Sequence, residues 1–479
     1  MKEHEFQLAN VLTFASGPVG AAVASILLIF LVSWTFPPDF LGKVAILELI
    51  ALFSVMALTC GLDQAYVREF ASAVDKYRLF ATAVKIPMIF ASVAGFLVVM
   101  MTFFIKKEII YNVDIVFLFI SLLYAWCSLF IRFLSLATRM TKSPVLFSYS
   151  QIVHRISTLI TIFVFLFFSE IRSLDILLYC YLIGILSSLI FYVVICWNEI
   201  LSVFRIQINK SEFQNMLGFG IPTAIAAFFY ALLSASDRLS LGFSANHYEL
   251  GIYTVAVSAA GSLNILTAVF GILWAPYIYR IADREGAAPE KLRPYLETVT
   301  MLTFFVGAAI SVFAWVLPFV FPVDYDLVPR LIPACMSLPL LYILSEAYGI
   351  GIAVSRKTKF AVVASTLGAL VALLIGSVLV PINPLSGAAS ATLAGSLAFL
   401  ILRAEFSAKL WQRLPLQKLY FSTFLYVCGC VLSLWFIRKD TLFMIAYWTG
   451  FACLISIMFR HRLVATFQTS LATIRRAMN

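Results

Sequence analysis

Residues 11–36 read VLTFASGPVGAAVASILLIFLVSWTF, 26 positions without one charged side chain. As a helix rising ~1.5 Å per residue the run is about 39 Å long, more than the ~30 Å of a bilayer's hydrocarbon core. It also exceeds the roughly 7–15-residue apolar region of a cleavable signal. Glu3 and Glu5 precede it beside Lys2, so the first span is expected to stay in the protein. Further runs at about 40–62, 80–104, 113–136, 144–169, 174–197, 216–239, 250–277, 297–320, 328–353, 360–380, 385–404, 419–437 and 442–459 bring the count to fourteen spans, most of them apolar all round.

Composition agrees with these runs. Of 479 residues, 62% are hydrophobic and 12% charged, against roughly 45–50% and ~25% in soluble domains; the mean hydropathy is +0.98. A soluble fold could not cover that much apolar surface with so few charges. Fourteen spans of ~22 residues use about 308 positions, so no catalytic domain of ordinary size fits in the remainder. The eight cysteines are scattered, and most (Cys60, Cys127, Cys180, Cys428, Cys430, Cys453) lie inside apolar runs. With four well-separated histidines, they suggest neither a disulfide framework nor a metal site. No nucleophile–base pair, phosphate loop or nucleotide motif stands out, so no catalytic residue or cofactor is expected. Transport energy would come from the substrate gradient, an ion or the membrane potential, or a partner.

The basic residues test the span count. With the N-terminus inside, 23 of the 34 Lys and Arg fall in inner segments, and only Lys106, Lys107, Arg172, Arg438 and Lys439 in outer loops. That alternation is the positive-inside pattern for an even number of spans, and it predicts both termini in the cytoplasm and a cytoplasmic (inner) membrane location. The net charge of +10 then reflects topology and attraction to the inner leaflet, with no nucleic-acid partner implied.

The chain repeats itself. Ser16-Gly17-Pro18-Val19-Gly20-Ala21-Ala22 in span 1 matches Gly220-Ile221-Pro222-Thr223-Ala224-Ile225-Ala226 in span 7. Phe40-Leu41-Gly42 entering span 2 matches Glu249-Leu250-Gly251 entering span 8, and Ala65-Tyr66-Val67-Arg68 leaving span 2 matches Pro276-Tyr277-Ile278-Tyr279-Arg280 leaving span 8. Six spans separate the copies, and an even number preserves orientation, so the halves are expected to be parallel repeats. The expected fold is an all-α polytopic membrane protein of about 14 transmembrane helices. It would comprise an N-lobe at 1–198, a linker at 199–215, a C-lobe at 216–405, and spans 13 and 14 with a cytoplasmic tail at 406–479.

The stretch Gly218-Phe219-Gly220-Ile221-Pro222, followed by Ser236-Asp237-Arg238, Glu249-Leu250-Gly251-Ile252-Tyr253 and Trp274-Ala275-Pro276-Tyr277, resembles the polysaccharide flippases of the Wzx type. Leu41-Gly42 and Gly61-Leu62-Asp63-Gln64-Ala65-Tyr66-Val67-Arg68 fit the same pattern in the first half. The resemblance covers roughly residues 10–405. It places the chain near the multidrug/oligosaccharidyl-lipid/polysaccharide exporter superfamily and implies two six-helix lobes alternating around a central cavity. The implied substrate is an undecaprenyl-diphosphate-linked oligosaccharide, moved from the inner to the outer leaflet for O-antigen and lipopolysaccharide, capsule or exopolysaccharide assembly. Membrane lipids and the polysaccharide polymerase and export machinery are the implied partners. Two features depart from the drug-antiporter branch: the two extra helices, and the absence of an acid in span 1.

An ionisable residue deep in a span costs at least ~2.5–3.5 kcal/mol and should face a bundle interior or a wet cavity. Arg155, beside His154, lies eleven residues into span 5, or ~16 Å. A guanidinium there suits a diphosphate, unless it instead pairs with a neighbouring acid. Arg132 and Lys85 lie nearer the inner ends of spans 4 and 3, where they could line the same cavity or snorkel. Glu48, in span 2, is expected to meet a base on another helix, and Glu346, in span 10, to serve as a proton site or a cation's partner. Asp237 and Arg238 close span 7, diverging by ~100°, with an interfacial structural role expected. Asn264 and Gln151 could bond sugar hydroxyls or glue helices together. Pro18 and Pro222 could kink the leading helices of the two lobes and act as hinges. Two other readings compete: a cation- or proton-coupled drug antiporter, and a membrane-embedded glycosyltransferase or polymerase. The short, mainly basic connections disfavour the enzyme; the basic bias at Lys85, Arg132 and Arg155 favours an anionic substrate.

Overall fold

Lipid offers a backbone no hydrogen-bond partner, so a chain this apolar must satisfy its N–H and C=O groups inside helices or a closed barrel. Its runs are too long for barrel strands of ~9–11 residues. The computed structural model describes residues 2–104, 114–168, 171–244, 246–271, 274, 278, 289–355, 357–411, 414–436, 441–464 and 468, and no strand occurs among them. In chain order the helices are α1 (Lys2–Thr35), α2 (Pro38–Leu58), α3 (Leu62–Glu69), α4 (Lys76–Phe104), α5 (Ile115–Thr141), α6 (Pro144–Phe168), α7 (Leu174–Ile195), α8 (Trp197–Arg205), α9 (Lys210–Phe243) and α10 (His247–Gly261). There follow α11 (Pro289–Phe313), α12 (Leu317–Val320), α13 (Val328–Cys335), α14 (Ser337–Tyr348), α15 (Ile350–Val354), α16 (Lys359–Leu379), α17 (Pro384–Leu410), α18 (Gln417–Val431) and α19 (Thr441–Met458). Fourteen helical segments among the described residues are long and apolar enough to cross a membrane. The chain is an all-α polytopic membrane protein.

Short polar residues set the helix starts. Asp114 accepts from the Val116 and Phe117 amides at 3.1 and 3.2 Å, and Asn383 from Ser386 at 3.0 Å. Ser173 and Asn246 cap α7 and α10 in the same way. Each cap satisfies an amide that the first turn leaves open, a contribution of roughly 1 kcal/mol.

Three boundaries depart from expectation. Span 2 does not run to residue 62. α2 stops at Leu58, Cys60 and Gly61 turn left-handed (φ 47° and 72°), and the chain restarts as α3. Span 10, expected as one helix over 328–353, is built from α13, α14 and α15. Span 7 runs on to Phe243, which puts Asp237 inside α9 instead of at its outer end. The repeat motif expected at the exit of span 8 includes Pro276, Tyr277 and Arg280, which lie outside the described residues.

The chain divides into two compact units, Met1–Ala235 and Ser236–Asn479, with the division inside α9. The stretch expected to link the lobes, 199–215, carries most of α8, which packs along α4; Ser202 Oγ donates to the Tyr77 carbonyl at 3.2 Å. In the first unit, α1 lies along α6, and a Cβ on Gly17 would stand 2.7 Å from the Ser148 Cα. In the second, α16 buries Ser365, Gly368, Ala369, Ala372 and Gly376 along one side, and α17 answers with Gly387, Ala388, Ala391 and Gly395. Between helices in lipid there is little hydrophobic drive, so close approach of small residues supplies the contact.

Candidate functional site

On α6, Tyr149, Ile156, Ile160, Phe163 and Phe167 are exposed at four- and three-residue steps or their sum, an apolar ridge suited to lipid. Arg155 sits about 120° round from it at ~100° per residue, on the side where Ser148 and Ile162 are buried. Its Nη1 donates to Glu48 Oε1 of α2 at 3.1 Å, its one protein hydrogen bond among the described residues. Glu48 thus meets a base on another helix, and Arg155 has the acid partner that the structural alternative required. The side chains stay 33% and 28% exposed, so the pair is not sealed into the core. Tyr124 of α5 and Tyr181 of α7 lie within electrostatic reach of it. Tyr124 Oη is 3.2 Å from His154 Nε2. His154 therefore serves the α5–α6 contact through the same Tyr124 that lies near Arg155.

Arg132 makes an ion pair that its position did not foretell. Its Nε and Nη2 both reach Asp63 Oδ2, at 3.0 and 2.7 Å, and Gln64 Nε2 donates to the same oxygen at 3.1 Å. Asp63 is 5% exposed. Arg132 ties α3 to α5 and does not simply snorkel. Lys85 is half-buried, with no ion pair or hydrogen bond from its side chain among the described residues.

The α2–α3 break presses on α9. A Cβ on Gly61 would stand 1.9 Å from the Gly220 carbonyl oxygen, and Arg68 lies over the Phe219 ring at 4.0 Å from its centroid. At the end of α3 the Glu69 carboxyl is raised above its ordinary range, by burial first and by Glu212 second, against the lowering pull of Arg68.

In the second unit, Glu346 of α14 forms an ion pair with Arg403 of α17. Arg403 also donates to Ser345 Oγ at 3.3 Å and lies 5.3 Å over Phe399. Asp237 is 2% exposed, with hydroxyls of Tyr253 and Thr392 donating to Oδ2 at 2.9 and 2.8 Å. Arg238 bends back so that its Nε comes within 3.8 Å of Asp237 Oδ1. The divergence of adjacent positions does not keep these two apart, and Asp237 is buried among its hydroxyl partners. Asn264 is exposed, and a Cβ on Gly261 would lie 3.7 Å from its amide nitrogen. α1 and α9 continue as helices through Pro18 and Pro222.

Among the candidate residues, then, only Arg155 and Glu48 come together as a partly accessible pair. Sequence reasoning missed Asp63, although it stood inside the quoted Gly61–Arg68 motif. It also missed Arg403, which stands one residue before the expected end of span 12 at 404. Among the described residues no group of three His, Cys, Asp or Glu is placed to hold a metal ion.

No family model matches the chain, and no curated protein sequence matches it. In structure it is similar to the lipid II flippase MurJ in its inward closed conformation, with a TM-score of 0.61, 14% identity, and coverage of 94% of this chain and 100% of that one. It is also similar to a multidrug resistance MATE family transporter of the MOP superfamily in an inward-facing conformation, with a TM-score of 0.58, 12% identity, and coverage of 83% and 97%. At such identities the likeness is one of fold alone.

Proposed function

We propose that the chain is a flippase for undecaprenyl-diphosphate-linked oligosaccharide units, moving them from the inner to the outer leaflet for surface polysaccharide assembly. The observation that carries this reading is Arg155: deep in span 5, a third exposed, and held by one nitrogen to Glu48. A diphosphate can take the rest of the planar fork through paired N–H···O bonds, which a lysine could not offer. The fold likeness to a lipid II flippase, whose name indicates a lipid-borne substrate, supports the same class. A cation-coupled drug antiporter would need an acid open to a cation. Glu48 and Glu346, deep in spans 2 and 10, each face an arginine, and Asp237 has Arg238 beside it, which favours the anionic substrate.

Both termini lie in the cytoplasm on this reading, so a reporter fused after Asn479 should score inside and one within residues 245–248 outside. The deciding experiment is deletion in a strain with no redundant flippase. Lipid-linked units should accumulate on the cytoplasmic face, and unchanged surface polysaccharide would overturn the proposal.

A further inference from the structure

Early in α4 the chain reads Lys85-Ile86-Pro87. Proline has no N–H for the carbonyl four residues back, and its ring crowds that carbonyl, so Pro87 is a kink point inside the helix. The two sides of it pack differently. Before it, Leu79, Phe80, Ala83 and Val84 share one buried core with Leu129, Phe133 and Leu134 of α5. Beyond it a crevice of about 640 Å³ opens between the same two helices, lined by Gly95 and Phe96 of α4, Phe119 and Trp126 of α5, and Leu182 of α7 among others. Two polar groups of its wall are spent within the protein: Trp126 Nε1 donates to Ser92 Oγ at 3.2 Å, and Ser92 Oγ to the Met88 carbonyl at 2.9 Å. A Cβ on Gly95 would meet nothing within 4 Å. The crevice offers room for hydrocarbon.

A cation stands at its near end. Lys85 precedes Ser92 and Phe96 by seven and eleven residues, within about 20° at ~100° per residue, so the three share one face of α4. Phe96 is 63% exposed there. Lys85 is half-buried, and its side chain has no ion pair or hydrogen bond among the described residues. Side chains lean toward the start of their helix, so the ammonium reaches back toward the membrane surface where α4 begins, the level of lipid phosphates. An unpaired ammonium inside a span calls for an anion. From Lys85 to Val99, at the far end of the crevice, the helix rises ~21 Å, against ~15 Å for the hydrocarbon of one leaflet. An acyl chain of one leaflet matches that reach; the much longer undecaprenyl tail would overrun it.

We propose that the crevice between α4 and α5 holds an acyl chain of an anionic glycerophospholipid, with its phosphate at Lys85. The lipid comes from the leaflet on the side where α4 begins. The ammonium gives the phosphodiester a charge-assisted donor. The chain fills the gap that opens past Pro87 and joins α4 to α5 where their own side chains do not meet. This inference is independent of the transported substrate.

The test is lipid retention and thermal stability of the full-length protein in detergent, with phosphatidylglycerol, phosphatidylcholine or undecaprenyl phosphate as the probe. Phosphatidylglycerol should be retained severalfold over either of the others and should raise the unfolding midpoint. Lys85→Gln should hold phosphatidylglycerol and phosphatidylcholine equally, whereas Arg205→Gln with Lys210→Gln, two exposed bases elsewhere, should keep the preference. Gly95→Leu sends a larger side chain into open space, so it should fold as the parent does, lower phosphatidylglycerol retention severalfold and lose the gain in midpoint. Should Gly95→Leu fail to insert, Lys85→Gln carries the test alone. Equal retention of phosphatidylglycerol and phosphatidylcholine by the parent, undiminished preference in Lys85→Gln, or undiminished retention in a folded Gly95→Leu protein would each overturn the proposal. Tighter retention of undecaprenyl phosphate would overturn it too, by giving the crevice a prenyl occupant.

Discussion

The two units each hold a glutamate–arginine pair inside the spans, and the pairs are built for different work. Arg155 in the first unit touches Glu48 through one nitrogen and is 33% exposed. Arg403 in the second is 12% exposed, bonded to both Glu346 and Ser345, and laid over Phe399. A Cβ on Gly349 would come within 3.0 Å of its Nε, so the backbone itself closes round it. The same two residue types thus make an accessible pair in one place and a brace in the other. Partner number and exposure decide the role; charge alone does not.

The largest expected effect follows from the brace. Arg403→Ala would remove an enclosed guanidinium together with its contacts to Glu346, Ser345 and Phe399; because Glu346 is itself 32% exposed, the ~3–5 kcal/mol for breaking a fully buried pair is an upper bound on the cost. Membrane abundance and the unfolding midpoint should both fall. Arg403→Met combined with Glu346→Gln, which removes both charges at similar volume, should recover much of the loss. An Arg403→Ala protein of unchanged stability would erase the contrast between the units.

Arg155 should answer in the opposite currency. Arg155→Ala removes a guanidinium that is a third exposed and held to the protein by one side-chain hydrogen bond, so the protein should insert at close to normal level while export falls by tenfold or more, a loss of at least ~1.4 kcal/mol. Arg155→Lys keeps the charge without the fork and should retain partial export. Abundance and export must be measured on the same membranes. Normal export from a stably inserted Arg155→Ala protein would remove the residue from the site, and a collapse in abundance would make it a second brace.

Much of this could be read from the residues in order. Run length and the 23-to-5 bias of basic residues fix fourteen spans, because lipid imposes the same demand on every stretch of backbone. Pairing inside the bundle is another matter. Glu48 and Arg155 are 107 residues apart, and their contact depends on how α2 and α6 are rotated, which apolar-all-round helices do not encode in their pattern. Arg403 was hidden by a boundary: it stands at the expected end of span 12, whereas α17 runs on to Leu410 and places it well inside a helix. The break after Leu58 was illegible for a further reason. Gly61 can adopt its positive φ freely, but only the approach of Gly220 shows that no Cβ would fit there.

The smallest effect sharpens the comparison at the seam that positions Arg155. Gly17 and Gly20 both face α6, but what they meet differs. A Cβ at Gly17 would stand 2.7 Å from the Ser148 Cα, which is backbone and cannot turn aside. At Gly20 it would stand 2.5 Å from Ile152 Cδ1, the free end of a side chain with other rotamers available. Replacing a mid-helix glycine with alanine gains roughly 0.8–1 kcal/mol in helix propensity, while overpacking a fixed contact costs typically 1–3 kcal/mol. Gly20→Ala should therefore come out near neutral in unfolding midpoint. Gly17→Ala should be modestly destabilising, and because it pushes α6 away from α1 it should also lower export more than its stability loss explains. Equal midpoints for the two variants would show that α1 and α6 slide freely, and the seam would then not fix the position of Arg155.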